Sequence, residues 1–300
     1  MKSDVYTLVT EKVIALLAEG TAPWRQTWSG GELPRNLVSG KPYRGINLLL
    51  LSMNRFASPY WLTFNQAKQL GGHIKKGAKS ELVVFWKFFD KPTEADAGDT
   101  GSADTKRRPP LLRYYCVFNA EQTEGLERHL PQPEVVNPFT PLEQAAAIIA
   151  AMPQRPAIYH HQQSAYYAPC RDYVNLPRPE TFDRADNYYA VAFHELTHAT
   201  GHESRLNRPG VAGTQLAQFG SPDYSREELI AEMGSAFLCA EAGIVSTLGN
   251  SAAYLKGWLG VLQGDSRLVV TAASAAQRAA DFILHRHIQE AADGHAAEAH

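Results

Sequence analysis

His194-Glu195-Leu196-Thr197-His198, set inside Tyr188–Gly201, is the stretch that decides the fold of the second half of this 300-residue chain. The stretch reads as a helix, and four-residue spacing stacks its two imidazoles on one face, a turn apart, where both can grip one metal ion. Glu195 lies between them, close to that face, in position to act as general base on water activated by such an ion. The bland alternative is an amphipathic helix with two surface histidines, so the flanking sequence has to choose between them.

Two histidines leave a catalytic metal one protein ligand short. A metzincin needs a histidine ten residues after His194, and Ser204 stands there. His202 would sit about 12 Å from His194 along a continuous helix, at about 1.5 Å per residue, and could serve only if the helix broke sharply at Gly201. Arg226-Glu227-Glu228-Leu229-Ile230-Ala231-Glu232 reads as the start of a second helix, with Glu228 and Glu232 on one face. This resembles the gluzincin arrangement, in which one carboxylate ligates and an acid a turn later orients a histidine through its second nitrogen. Glu228 is therefore assigned to the metal and Glu232 to the place behind a histidine, while Glu227, Glu232 and His202 stay open as third ligands. Zn2+ is the expected cofactor, with another divalent ion such as Mn2+ as the alternative.

Composition narrows the class. With 44% hydrophobic and 20% charged residues, and no apolar run of spanning length, a soluble globular protein is expected, with no membrane partner. Lys2, Asp4, Glu11 and Lys12 interrupt the first nineteen residues, so no signal peptide is expected and the cytoplasm is the expected location. Cys116, Cys170 and Cys239 are scattered, odd in number and without a CxxC spacing, which argues against a disulfide framework or a thiolate zinc cage. The net charge of −2 hides an asymmetry: residues 1–130 hold 18 Lys and Arg against 13 Asp and Glu, and residues 131–300 hold 11 against 18. Nucleic acid, if bound, is expected on the first half.

Apolar periodicity predicts a helix over Val5–Leu17, and further helices at Ile46–Met53 and Thr63–Leu70. Leu82–Phe89 and Leu112–Asn119 read as strands, joined by the charged, Gly/Ala/Asp-rich stretch Asp90–Pro110. Four prolines in Pro131–Pro141 suggest a linker. Beyond it come a helix at Leu142–Met152 and short strands at Ala157–Tyr159, Ser164–Ala168 and Asp172–Leu176. The HExxH helix follows, then helices at Arg226–Ala242, Ala252–Leu262 and Ala272–Ile288. A small sheet, a metal-bearing helix and an acidic helix in that order suit a zincin-type peptidase, whose edge strand pairs with an extended peptide. Tyr166, Tyr167 and Asp172 fall on those strands and are expected to be half-buried sheet residues.

In the first half, Trp24, Trp28, Tyr43, Tyr60, Trp61 and Phe64 interleave with Arg25, Arg35, Lys41, Arg44, Lys68, Lys75, Lys76 and Lys79. Exposed rings can stack on unpaired bases while the cations follow phosphates. Composition does not separate that arrangement from a tryptophan core with solvated lysines.

The motifs Pro23-Trp24…Trp28, Pro34-x-Asn36, Gly40-Lys41-x-Tyr43-Arg44-Gly45-Ile46-Asn47, Trp61-Leu62-Thr63-Phe64-x-Gln66-Ala67, Gly71-Gly72-x-Ile74-x-Lys76-Gly77 and Val117-Phe118-Asn119-x-x-Gln122 resemble the N-terminal domain of the antirestriction ArdC family. That family is carried on conjugative plasmids and is similar to a segment of TraC-type plasmid primases. The second half matches through Tyr166-Tyr167, Asp172-Tyr173-Val174-x-Leu176-Pro177, His194–His202 and Glu227–Glu232, so that the resemblance runs in order over about residues 5–290. It implies an α+β protein of two domains. A small mixed α/β domain at 1–130 would bind single-stranded DNA, and a zincin-like metallopeptidase domain at 142–300 would carry the HExxH helix, with 131–141 as linker. It also implies protection of incoming plasmid DNA from host restriction. Trp24, Trp28, Arg35, Tyr43, Arg44, Asn47, Trp61, Gln66, Lys75, Lys76 and Lys79 are then the candidate DNA contacts. The rival expectation is a zinc metallopeptidase that cleaves a specific protein, such as a restriction component, and uses DNA only for localisation. A nuclease fits poorly, because two-metal phosphodiester chemistry wants carboxylate clusters rather than imidazoles.

Overall fold

A computed structural model describes residues 4–25, 33–54, 56–87, 111–131, 140–218, 220–244 and 252–286. Trp28, the joining stretch 90–110 and most of the expected linker lie outside them. Helix α1, Val5–Ala18, buries Val9, Val13 and Leu17, which recur every four residues on one face. Helix α2, Ile46–Ser52, follows Gly45, whose φ of 56° few side chains tolerate. Strands β1 (Arg35–Asn36), β2 (Tyr60–Leu62), β4 (Glu81–Lys87) and β5 (Leu111–Asn119) form one sheet in the order β1-β2-β5-β4. Helix α3, Phe64–Gln69, opens on a capping box in which Thr63 and Gln66 satisfy each other's backbone N–H groups. β3 (His73–Ile74) and β6 (Thr123–Glu124) make a small antiparallel pair beside it.

In the second half, α4 (Pro141–Ala151) starts with Pro141 at its first turn and Thr140 as cap. A three-stranded sheet follows, β7 (Ala157–Tyr159), β8 (Tyr166–Ala168) and β9 (Tyr173–Asn175), in the order β7-β9-β8, which leaves β8 at an edge. Helix α5, Ala185–Ala199, holds the HExxH residues. Two short strands, β10 (Pro209–Gly210) and β11 (Ala212–Leu216), lead to α6, Pro222–Ala242. That helix begins one turn earlier than its apolar pattern implies, because Ser221 caps it and Pro222 is preorganised for its first turn. Helices α7, Ala252–Gly264, and α8, Leu268–Ile283, complete the chain's described part.

The first half keeps small cores of its own, one of Tyr43, Leu51, Trp61, Val83 and Val117 and one of Leu62, Ala67 and Leu126, but the largest core spans both halves. One apolar cluster joins Val9, Val13 and Leu17 of α1 and Leu48–Leu50 of α2 to Phe193, Leu229, Phe237, Trp258 and Val269 of the second half. Polar contacts cross the same seam: Thr10 donates to Ser266 O at 2.7 Å, Gln277 accepts the Gly45 N–H at 2.8 Å, and Arg44 pairs with Asp281. Helix α6 is the central element, with Leu229–Ala242 almost wholly buried between α4, α5 and α8.

Candidate metal centre between two helices

Helices α5 and α6 cross in close contact. A Cβ on Gly234 would lie 2.5 Å from Thr197 Cγ2 and 2.7 Å from its Oγ1, so only glycine permits this approach. Ser235 further ties the pair by donating to Ala190 O at 2.7 Å. The crossing brings the start of α6 over the HExxH face. His194 Nε2 and His198 Nε2 stand 3.2 Å apart, and each is 3.6 Å from an oxygen of Glu228. Among the described residues these three form the one group able to offer three ligand atoms all within 4.8 Å of one another.

The donor set fits a divalent cation. Two nitrogens each about 2.0–2.1 Å from one tetrahedral ion would be separated by about 3.3 Å, close to the spacing seen here. Burial works against charge on His194, yet Glu228, Glu195 and Glu232 push its pKa up to about 9, the response of a site whose carboxylates call for a cation. Glu195 is buried beside the ligands, between them in sequence and on the same helix.

Behind His198 the orienting acid is Glu227. His198 Nδ1 lies 3.2 Å from Glu227 Oε1, and since that carboxylate has no proton to give, Nδ1–H donates and Nε2 keeps its lone pair for the metal side. Arg208 clamps the same carboxylate through Nε at 3.0 Å and Nη2 at 2.5 Å. It also donates to Thr200 Oγ1 and to the carbonyls of Thr197 and His198, closing the end of α5. Burial alone would raise the Glu227 pKa; His198 and Arg208 reverse that and hold it below the usual range. Glu232 contributes negative potential at His194.

His202 is half-buried, and its Nδ1 contacts Ser204 Oγ at 2.8 Å, outside the ligand group. The chain turns after α5 through Arg208 N–H to Gly201 O at 2.9 Å, which carries the His202 stretch away.

Residues 143–275 match the family described as zincin-like metallopeptidase, and residues 3–118 match the N-terminal domain of anti-restriction factor ArdC. The crystal structure of metal-free antirestriction protein ArdC from plasmid R388 superposes with a TM-score of 0.71 at 36% identity, covering 94% of this chain and 97% of that one. The chain belongs to the antirestriction ArdC family. The Mn(II)-bound R388 ArdC structure gives a TM-score of 0.70 at 35% identity, covering 94% and 98%. A DNA primase TraC of Escherichia coli is 36% identical over 97% of this chain, and this chain spans 28% of that primase's length; for a second such primase the share is 20%. An uncharacterized protein of Sinorhizobium fredii, y4eC, is 35% identical over 94% of this chain and 92% of its own length.

Within the ArdC-type N-terminal domain the expected DNA contacts divide. Trp24, Tyr43 and Trp61 are only 4%, 8% and 2% exposed, so their rings have no free face for a base. Trp24 sits edge-on to Trp258 and donates Nε1–H to Tyr254 at 2.7 Å, which makes it part of the seam. Asn47 is occupied by Val84, giving to its carbonyl and accepting from its N–H, and so pins α2 to β4. Gln66 closes the α3 cap and accepts from Asn36 at 3.1 Å. Arg44 reaches Asp281, and Lys75 donates to Glu121 O at 2.8 Å. Lys76 and Lys79 are exposed; Arg35 is half-buried, with no hydrogen-bond partner at Nε.

Two residues of the centre, Arg208 and Tyr224, escape the sequence pattern, as does the place of Glu227 behind His198. Tyr224 lies one turn before Glu228 and hydrogen-bonds its carboxylate. Burial, Glu228 and Glu195 push the phenol up to about 12. The four-residue spacing to Glu228 is the sequence signal that marks Tyr224. Arg208 leaves none, because a loop folds it into place.

Proposed function

We propose that this protein is an antirestriction factor that covers single-stranded DNA as it enters a cell and carries a metallopeptidase-type centre on His194, His198 and Glu228. The observation that carries the second part is the convergence of two Nε2 atoms and one carboxylate, with Glu195 buried alongside. Zinc suits two imidazoles and a carboxylate, while the Mn(II) in the R388 relative makes manganese the competing ion. A divalent ion held there supplies Lewis acidity toward water and a peptide carbonyl. Glu195 then takes the proton from the attacking water and returns it to the leaving amine. Glu227 and Arg208 keep His198 in one tautomer and orientation, and Tyr224 steadies Glu228. Family membership supports the first part, as does the likeness to plasmid primases.

Conjugation into restricting and non-restricting recipients tests the reading. Glu195→Ala should retain metal and still protect the incoming plasmid, because covering the strand needs no proton transfer. A tenfold or greater loss of protection confined to the restricting recipient would show that peptide cleavage is required. Elemental analysis of purified protein decides the ion.

A further inference from the structure

The small sheet of the second half has two unlike faces. Ile158, Val174 and Tyr167 point inward and join the main core. The outer face carries a row of rings: Tyr159 and Tyr173 at 5.5 Å, then Tyr173 and Tyr166 at 6.0 Å with their hydroxyls 3.2 Å apart. At the end of the row His161 stacks on Tyr159, 5.0 Å between centroids and 19° between planes. Tyr159 is 42% exposed, among the most exposed large apolar side chains of the described residues.

The row is held rigidly. Asn175, 1% exposed, accepts from the N–H groups of His161 and Gln162 and donates to the carbonyls of Gln162 and Ser164. That clamp folds the loop back and keeps His161 against Tyr159. Charge points the same way. Within an acidic half, residues 153–179 hold Arg155, Arg171 and Arg178 against one acid, Asp172. Asp172 is spoken for by Arg205 and the Tyr167 hydroxyl, whereas Arg171 acts on Tyr166 of the row.

We propose that this outer face binds single-stranded DNA, with bases continuing the His161–Tyr159 stack and Arg171 meeting a phosphate. Rings offer their faces only to unpaired bases, and Arg171, exposed beside Tyr166, supplies a cation that complements the strand. The inference rests on the DNA-binding part of the proposed function and adds a contact on the half where overall charge did not lead one to expect it.

Anisotropy of a fluorescent 20-nucleotide thymidine strand, titrated with the full chain, tests it. Tyr159→Ala with His161→Ala should weaken binding about tenfold, or about 1.4 kcal/mol. Tyr159→Trp should stay within about twofold of the parent. Arg171→Ala should flatten the logarithmic salt slope by about 0.7. Unchanged metal content and unfolding midpoint establish that each variant is folded. Binding by the parent that these variants share in full, with photo-crosslinks confined to residues 1–130, overturns this inference and leaves DNA binding itself standing. No binding by the parent overturns both. Loss of an unfolded polypeptide probe, carboxymethylated casein, with the oligonucleotide kept, makes the face a peptide platform and ends the DNA assignment.

Discussion

The α5–α6 crossing and the seam between the two halves each bury a carboxylate, and they treat it in opposite ways. At the crossing, burial of Glu227 is overcome by His198 and Arg208, and its pKa is held low. At the seam, burial of Asp281 prevails over Arg44, Gln277 and Arg286, and its pKa is raised. Arg44 comes from a half-exposed position in the other half, whereas Arg208 is itself buried and fixed by five donated bonds. A buried ion pair stabilises only when its geometry is complete. The crossing is thus a polar device whose parts all lie within the second half, while apolar area holds the seam together.

The sharpest break at the crossing is removal of a ligand. His198→Ala should take stoichiometric divalent metal to nearly none by elemental analysis, while Glu195→Ala keeps it. Equal occupancy in the parent and His198→Ala would sink the site.

At the seam the largest effect should come from Trp24→Ala, which leaves a cavity against Trp258 and removes the bond to the Tyr254 hydroxyl. Large-to-small changes of this kind cost about 3–5 kcal/mol, measurable by denaturant unfolding. A cost below about 1 kcal/mol would mean that the halves pack independently.

Next comes the support behind His198. Glu227→Gln keeps the shape but weakens the hold on Nδ1–H and strands the Arg208 charge, and metal affinity should fall about 10–100-fold. Competition with a chelator reads this directly, and the same substitution at Glu232 should do less.

The smallest effect concerns Asp281. An acid whose folded pKa lies above its unfolded value contributes stability below the unfolded pKa, and that contribution is lost as pH rises through the folded one. At neutral pH ionised Asp281 is therefore a cost, and Asp281→Asn should be at least as stable as the parent there. Its relative advantage should shrink as pH drops toward 4. Unfolding curves across that range check the sign, and a clear loss at pH 7 would assign the seam to the ion pair instead.

Local spacing carried the metal-bearing helix, since two imidazoles four residues apart share a helical face in any fold. The same locality made α1, α3 and β5 legible, through apolar periodicity, the Thr63 cap and a run of β-branched and aromatic residues. Family motifs then supplied the two-part organisation. Other features depend on distant residues meeting, and no spacing encodes that. Gly234 against Thr197 sets how near Glu228 comes to the histidines. A loop turn carries Arg208 under Glu227 and His202 away from the site. Most plainly, tryptophan and tyrosine serve equally as core or as surface. Composition could not foresee that Trp24 would be spent in the core shared by both halves and Trp61 in a core of the first half while Tyr159 stayed outside, because burial is decided by which faces pack together in the folded chain.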